Sequence, residues 1–464
     1  MYSYRRWLYV LSLMLLIAVV AACAPIVTPA AAPAAETGGE TAEEAASTQE
    51  ESEMAEEAEA GMDLAGSEIT ATYMQAGTYD KAAEAIQPGF EADTGIEVEL
   101  IAAPWDVLNQ NHITDLTTGT GAYDVMSGEF WIATVFDQML PLDDYVTRDN
   151  FGEAYIEGIW SPGPSNFFDG KRIGVPYSAD AYGIWYNTEI FEQCEVEADW
   201  ETWGDYIARL ETLATCLEGT DVAPMVHYFG QIEQPAAIFL GMYDGYLVDT
   251  EGNYALDREK AVAALNTMQS LLDYNPEGVL GFDFNAGNAV FLNGKAATMV
   301  GWPSFIRADA DNPEKSQVVG KWALANYPGP GFPMVSAWNM FISKHSDNPD
   351  AAWEWIKAYA NPENGKQWMA EYGVGSPFKA TYEDPELVEE FGYFYPAQAQ
   401  NLDKAKSLPW TFAAFEAFFR NEGDFHQGTI TAEEMLDRVQ TQWDEIEVPE
   451  ALVQLAAAQG LQQQ

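Results

Sequence analysis

The stretch from Ile69 to Leu100 constrains the fold most. Ile69–Met74 is an apolar, strand-prone run. Ala82, Ile86 and Phe90 then recur four apart, as on one face of a helix, and Asp93-Thr94-Gly95 supplies a stop. Ile96, Val98 and Leu100 alternate with Glu97 and Glu99, the pattern of a half-buried strand. Strand, helix and strand at this spacing predict a βαβ unit, and two strands joined by a helical crossover run parallel. The expected fold class is therefore α/β.

With 464 residues, 48% of them hydrophobic, the chain can fill two full cores and still carry tails. Its formal net charge of −52 excludes a protein that tracks phosphates, so no nucleic acid partner is expected. The N-terminus reads as a targeting segment. Arg5 and Arg6 precede an apolar run, Trp7 to Val20, that is too short for a comfortable membrane span. Val20-Ala21-Ala22-Cys23 resembles a bacterial lipobox, which implies cleavage before Cys23 and a lipid on it. The residues alone also fit an ordinary signal peptide with an incidental cysteine, and Ser3-Tyr4-Arg5-Arg6 fits twin-arginine export poorly. Ala24 to Gly66 holds eleven acidic residues, no Lys or Arg and no aromatics, a composition that cannot build a core and that self-repulsion extends. The division expected is a signal peptide over 1–22 and a lipidated, acidic tether over 23–66.

In an exported chain the remaining pair, Cys194 and Cys216, reads as a disulfide flanking a helix from Trp203 to Leu213; two buried thiols are the other reading. His112, His227, His345 and His426 lack paired metal spacing, and Asp249–Asp257 lacks the glycine and terminal glutamate of a calcium loop. There is no Walker-type run, no GxSxG elbow and no GxGxxG opening the first helix. No metal, cofactor or catalytic residue is expected.

Further along, a helix is expected over Trp105–Thr118 and a strand from Tyr123 to Met126, ending in Ser127-Gly128-Glu129-Phe130-Trp131. A helix carrying Val135 to Met139 follows. Gly170 to Asn187 reads as two strands. Ile173 and Val175 lead to an end at Pro176, Tyr177-Ser178-Ala179-Asp180 forms a polar connection, and Tyr182, Ile184 and Tyr186 alternate in the second strand. Later elements are a strand over Met225–Tyr228 and a helix over Ala261–Leu272 capped by Asp257. A helix, glycine turn and strand are expected within Asn285–Pro303, a strand over Val335–Lys344, and a helical end over Pro409–Val448.

Several of these segments carry a resemblance. FEADTGIEVEL, YDVMSGEFWIATVFDQMLPLDDYV, GKRIGVPYSADAYGIWYN, NAGNAVFLNGKAATMVGWP, VSAWNMFISK and SDNPDAAWEWIKAYANPENGKQW occur in the order, and close to the wording, of one family. Over roughly Ile69 to Ile446 the chain resembles the extracellular solute-binding proteins of ABC importers, family 1, the sugar-binding, maltose-binding-protein-like group. The resemblance implies a type II periplasmic-binding-protein-like fold of two lobes, each a mainly parallel sheet flanked by helices, with three interdomain crossovers. These would be the Tyr177–Asp180 connection, the strand before Trp302, and VSAWNMFISK. Lobe 1 would comprise 67–179 and 303–337, and lobe 2 180–302 and 338–459. The implied protein is a monomeric receptor, not an enzyme. It would be held outside the cytoplasm on the membrane by lipidated Cys23, and would pass a mono- or oligosaccharide to ABC permease subunits.

Sugars offer apolar ring faces to aromatics and hydroxyls to carboxylates. Residues of both kinds at the expected crossings and strand ends are Glu129, Phe130, Trp131, Tyr177, Asp180, Trp302, Trp338 and Asn339. By resemblance Gln75, Tyr228 and Trp410 join them. Trp322 and Trp355 are assigned to the core, and Trp105-Asp106 fits a helix start or a further contact. Where the family has a Leu-Pro-Thr-Arg-like run this chain has Gly375-Ser376-Pro377-Phe378, and no ligand contact is placed there. Two alternatives stay open. Acids in such a cleft also suit a polyamine, a peptide or another solute. Glu129 and Asp180 would serve an exported glycoside hydrolase if they stand within ~5–9.5 Å.

Overall fold

The computed structural model describes residues 64–75, 78–231 and 234–464. The signal peptide, Cys23 and nearly all of the tether, expected from sequence, lie outside the described residues.

Two main sheets organise the chain. Their strands are β1 Glu68–Met74, β2 Glu97–Ala103, β3 Val125–Gly128, β4 Gly174–Ala181, β5 Gly183–Asn187, β6 Ala223–Val226, β7 Ala296–Gly301, β8 Trp322–Ala325 and β9 Val335–Ile342. β1 pairs parallel with β2 from Glu68 opposite Glu97 to Met74 opposite Ala103. The connecting helix α1, Tyr79–Thr94, ends at Gly95, whose φ of 71° suits a residue without Cβ and whose N–H donates to the Glu91 carbonyl. Helix α2, Trp105–Thr118, starts after Pro104 and stops at Gly119, φ 66°, and returns the chain to β3, again parallel to β1. The first sheet runs β2-β1-β3-β9-β4, and the second β8-β5-β7-β6. Both are mixed. β9 lies antiparallel to β3 and β4, and β5 antiparallel to β7 and β8, while β6 and β7 are parallel.

Each sheet has its own core. Val98, Tyr177, Trp355, Ile356 and Phe378 are buried in the first lobe. In the second, Tyr206, Leu210, Phe239, Phe418 and Trp443 pack on one side, and Trp185, Phe291, Trp322 and Phe394 form another cluster. The Cys194–Cys216 disulfide, Cα–Cα 5.7 Å, ties a loop to the C-terminal end of helix α3, Trp203–Cys216.

The crossings fall at other places than expected. The first strand does not stop at Pro176: β4 runs through the whole supposed connection to Ala181, and the chain changes sheets over Ala181-Tyr182-Gly183. Pro176 is tolerated because β4 is an edge strand paired only with β9, and the register slips there. Ser178 faces Trp338 and Pro176 faces Asn339, leaving Tyr177 as the extra residue of a bulge. β7 is no crossover. It is fully buried inside the second sheet, and an apolar run without alternation looks the same in either role. The second crossing lies between Ala325 and Val335, and the chain returns to the second core after Phe378, with Phe391, Phe394 and Tyr395. Accordingly 303–337 does not belong wholly with lobe 1. β8 is in the second sheet, and Ile306 and Ala310 of the helix Pro303–Ala310 pack with Trp185. Nor does the chain join lobe 2 at 338, because β9 completes the first sheet and the helix Pro349–Tyr359 buries Trp355 in the first core.

β2 is the far edge of the first sheet; Gln87 and Glu91 of α1 bond the outward C=O and N–H of Val98, and Glu97 and Glu99 on either side are exposed.

Candidate functional site

The parallel strands β1, β2 and β3 all end toward one place, where open α/β sheets gather ligand-binding loops. Met74 ends β1 and Gln75 follows it, Pro104 and Trp105 follow β2, and Glu129 and Trp131 follow β3. β9 adds Ser336 and Trp338, and β4 adds Asp180. From the second lobe come Gln234, Phe284, Trp302, Trp410 and Phe415. Together they enclose a cavity of ≈ 490 Å³, within the range of small-molecule sites.

Aromatic rings from both lobes stand on the wall. Trp338 packs against Tyr79, ring centroids 5.7 Å apart, and Trp302 stands edge-on to Tyr182 at 4.3 Å. The Trp302 indole N–H donates to Gln234 Oε1 at 2.9 Å, and the Tyr182 hydroxyl donates to the same oxygen. Trp410 rests on Trp443 and Phe418 at 4.9 and 5.4 Å. Among the described residues that line the cavity none is Lys, Arg or His.

Two carboxyls reach it. Burial pushes Glu129 up to about 7, against the opposing pull of hydrogen bonds from the Ser336 hydroxyl and the Trp131 indole. Asp180 is likewise raised to about 7 by burial. Its Oδ2 accepts from the Ser304 backbone N–H at 2.8 Å, and its Oδ1 from Gln398 Nε2 at 2.6 Å and the Ala181 N–H at 3.1 Å. Asp180 is thus also a strut between β4 and two helices of the second lobe. Among the described residues no group of His, Cys, Asp and Glu is arranged to hold a metal ion.

Of the residues singled out from sequence, Gln75, Glu129, Trp131, Asp180, Trp302, Trp338 and Trp410 stand on the cavity wall. The side chain of Phe130 lies outside the described residues. Three others do not line the cavity. Tyr177, expected in a loop, is buried in β4, bonded to Ser127 Oγ at 2.8 Å and packed on Tyr73, Tyr79 and Tyr359. Tyr228 lies behind the wall with its hydroxyl on Asn288 Oδ1 at 2.9 Å. Asn339 points away from the cavity and donates to the Ala337 carbonyl at 2.7 Å. Alternation explains Asn339, because neighbours Trp338 and Asn339 lie on opposite faces of a strand, whereas the bulge sets the side that Tyr177 takes. The reading missed Tyr79, Gln234, Phe284, Asn285, Ser336 and Phe415. Ser336 was findable, two residues from Trp338 on one strand face; Gln234, next to a proline-led helix, carried no signal.

Comparison with known proteins agrees with this architecture. The chain is 27% identical over 233 residues to a binding protein of Brucella abortus, covering 47% of this chain. It is also 27% identical over 191 residues to the arabinooligosaccharide-binding protein of Halalkalibacterium halodurans, 38% of this chain and 39% of that one. The chain spans about half the length, 54%, of the first of these curated relatives. The fold is shared with maltose-bound T. maritima MalE3, TM-score 0.72 at 21% identity, over 82% of this chain and 99% of that one. The family model described as bacterial extracellular solute-binding protein matches residues 72–366, well over half the chain. With two sheets, three crossings and a cavity between them, the chain belongs to the bacterial extracellular solute-binding protein family.

Proposed function

We propose that the chain is an extracytoplasmic receptor that holds a neutral carbohydrate or polyol between its lobes and delivers it to an ABC importer. The observation that carries this reading is the cavity wall: aromatic rings from both lobes, two carboxyls raised to about 7 and, among the described residues, no basic side chain. Aromatic faces suit the apolar faces of sugar rings, and the carboxyls and Gln234 suit hydroxyls. With no Lys or Arg among its described residues, the wall leaves the charge of a sugar phosphate or sugar acid unpaired. The names of the arabinooligosaccharide-binding relative and of the maltose-bound neighbour point the same way. Gln75, Glu129, Trp131, Asp180, Trp302, Trp338 and Trp410 are the ligand contacts in this reading, and the solute is held, not transformed. Ligand that touches both lobes favours the closed form, the form a permease recognises. Lipidation of Cys23 and the acidic tether would keep the receptor on the membrane.

A thermal-shift screen of mono- and oligosaccharides and polyols, followed by titration calorimetry of the hits, tests the reading. Micromolar binding of a neutral sugar, about −8 kcal/mol, with no new product by chromatography is expected. Stabilisation only by polyamines, peptides or anions would overturn it.

A further inference from the structure

Trp131 touches more than the cavity. It is carried by the first lobe, on the 3-10 segment Phe130–Gln138 after β3, whose Ile132, Val135 and Phe136 pack with Met126 and Phe341. Its indole N–H donates to Glu129, which fixes the ring, and Trp105 of the same lobe stands edge-on at 5.4 Å. The other side of the ring meets the second lobe. Phe412, Phe415 and Phe419, three residues of one helix spanning Phe412–His426, lie 5.5, 5.9 and 6.2 Å from it. Residues i, i+3 and i+7 share one helix face, so the helix presents a three-ring socket. That helix is anchored in the second core through Phe418 and Phe425 and packs against the helix Ala432–Trp443. The contact therefore joins the two lobes. Of the three socket rings, Phe415 lines the cavity, whereas Phe412 and Phe419 do not.

We propose that Phe412, in the Phe412–Phe415–Phe419 socket that seats Trp131, completes an interlobe latch and is a positioning residue, acting through Trp131 to set the receptor's affinity by the balance of open and closed forms. The inference rests on the reading that the lobes move about their crossings. Every contact between Trp131 and Phe412 exists only when the lobes meet, so it adds to closure without touching solute. Apparent affinity scales with the population of the binding-competent form, so the strength of this contact tunes affinity for any solute the cavity accepts.

The test needs no ligand in its first arm. Spin labels introduced at Lys81 on the first lobe and Lys295 on the second, both exposed, report the interlobe distance distribution of the mature chain by pulsed dipolar spectroscopy. Trp131→Ala, Phe412→Ala and the double variant are compared with the unaltered chain, and melting temperature is followed in parallel. Phe412→Ala is expected to raise the open-to-closed ratio about three- to tenfold, Trp131→Ala at least as much, and the double variant no more than Trp131→Ala alone. Trp131→Phe should restore part of the closed population. In the second arm, Phe412→Ala is expected to weaken binding of the best sugar from the screen by the same factor. An unchanged distance distribution in Phe412→Ala overturns the latch, whatever the solute. A shifted distribution in a chain that binds no sugar keeps the latch and removes the carbohydrate reading.

Discussion

Asp180 and Trp131 both line the cavity and both reach from the first lobe to the second, but with opposite chemistry. Asp180 sits one residue before the first crossing begins to turn and is fixed by three N–H donors, from Ser304, Gln398 and Ala181. Trp131 meets the second lobe through ring contacts with Phe412, Phe415 and Phe419. Buried hydrogen bonds to a carboxyl are directional and expensive to strand, so they hold one geometry. Ring contacts are weaker and reversible. The difference teaches where the molecule bends and where it parts: the crossing is pinned, and the ring contact is the place that releases.

The largest effect that tests this contrast is expected from Asp180→Ala. It strands the Ser304 N–H and the Gln398 amide, and should lower unfolding free energy by about 2–5 kcal/mol in denaturant titration. A loss no greater than that of Phe412→Ala would break the comparison. Next comes a pH effect at Glu129. Its proton is held to about 7 in the folded chain against an ordinary 4.5, so its contribution is full below about 4.5 and lost as pH rises toward 7. The stability of Glu129→Gln relative to the unaltered chain should therefore increase between pH 4.5 and 8 by roughly 3 kcal/mol, read as a widening gap in melting temperature. The buried histidines, present in both proteins, cancel in that difference. A constant gap would show that Glu129 is ionised in the fold. Trp338→Ala should weaken sugar binding about tenfold, roughly 1.4 kcal/mol, with the fold intact; unchanged calorimetry would remove Trp338 from the wall. The smallest change is expected from Tyr177→Phe, which gives up the bond to Ser127 for about 1 kcal/mol of stability and leaves affinity as it was. A drop in affinity would mean that the bulge, not the wall, governs the cavity.

The contrast between pinned and releasing contacts was only partly legible in the chain. The βαβ unit was readable because Gly95 stops a helix between two alternating runs, and α2 because Pro104 and Gly119 bracket it. Glu129, Trp131, Asp180, Trp302, Trp338 and Trp410 were readable as cavity residues because each stands at a strand end, near a crossing or in a family segment. The direction a side chain faces was harder. Tyr177 turned inward because the slipped register between Trp338 and Asn339 sets its side, and a slip of that kind leaves no mark in composition. The exchange of β8 and β9 between sheets was hidden because both are short apolar runs, and which sheet takes each is decided by pairing far along the chain. The Phe412–Phe415–Phe419 face could be seen as an amphipathic stripe, but its partner across the cleft could not.

The β2 border of the first sheet bears on how copies of this chain tolerate crowding. Gln87 and Glu91 of α1 take up the outward C=O and N–H of Val98, and beyond it the backbone of β2 is a template to which another strand could add, the usual route to intermolecular aggregation. Glu97 and Glu99 on that border would bring like charges face to face if two copies docked there. That repulsion guards the border, so exchanging both residues for glutamine should let clumping begin there.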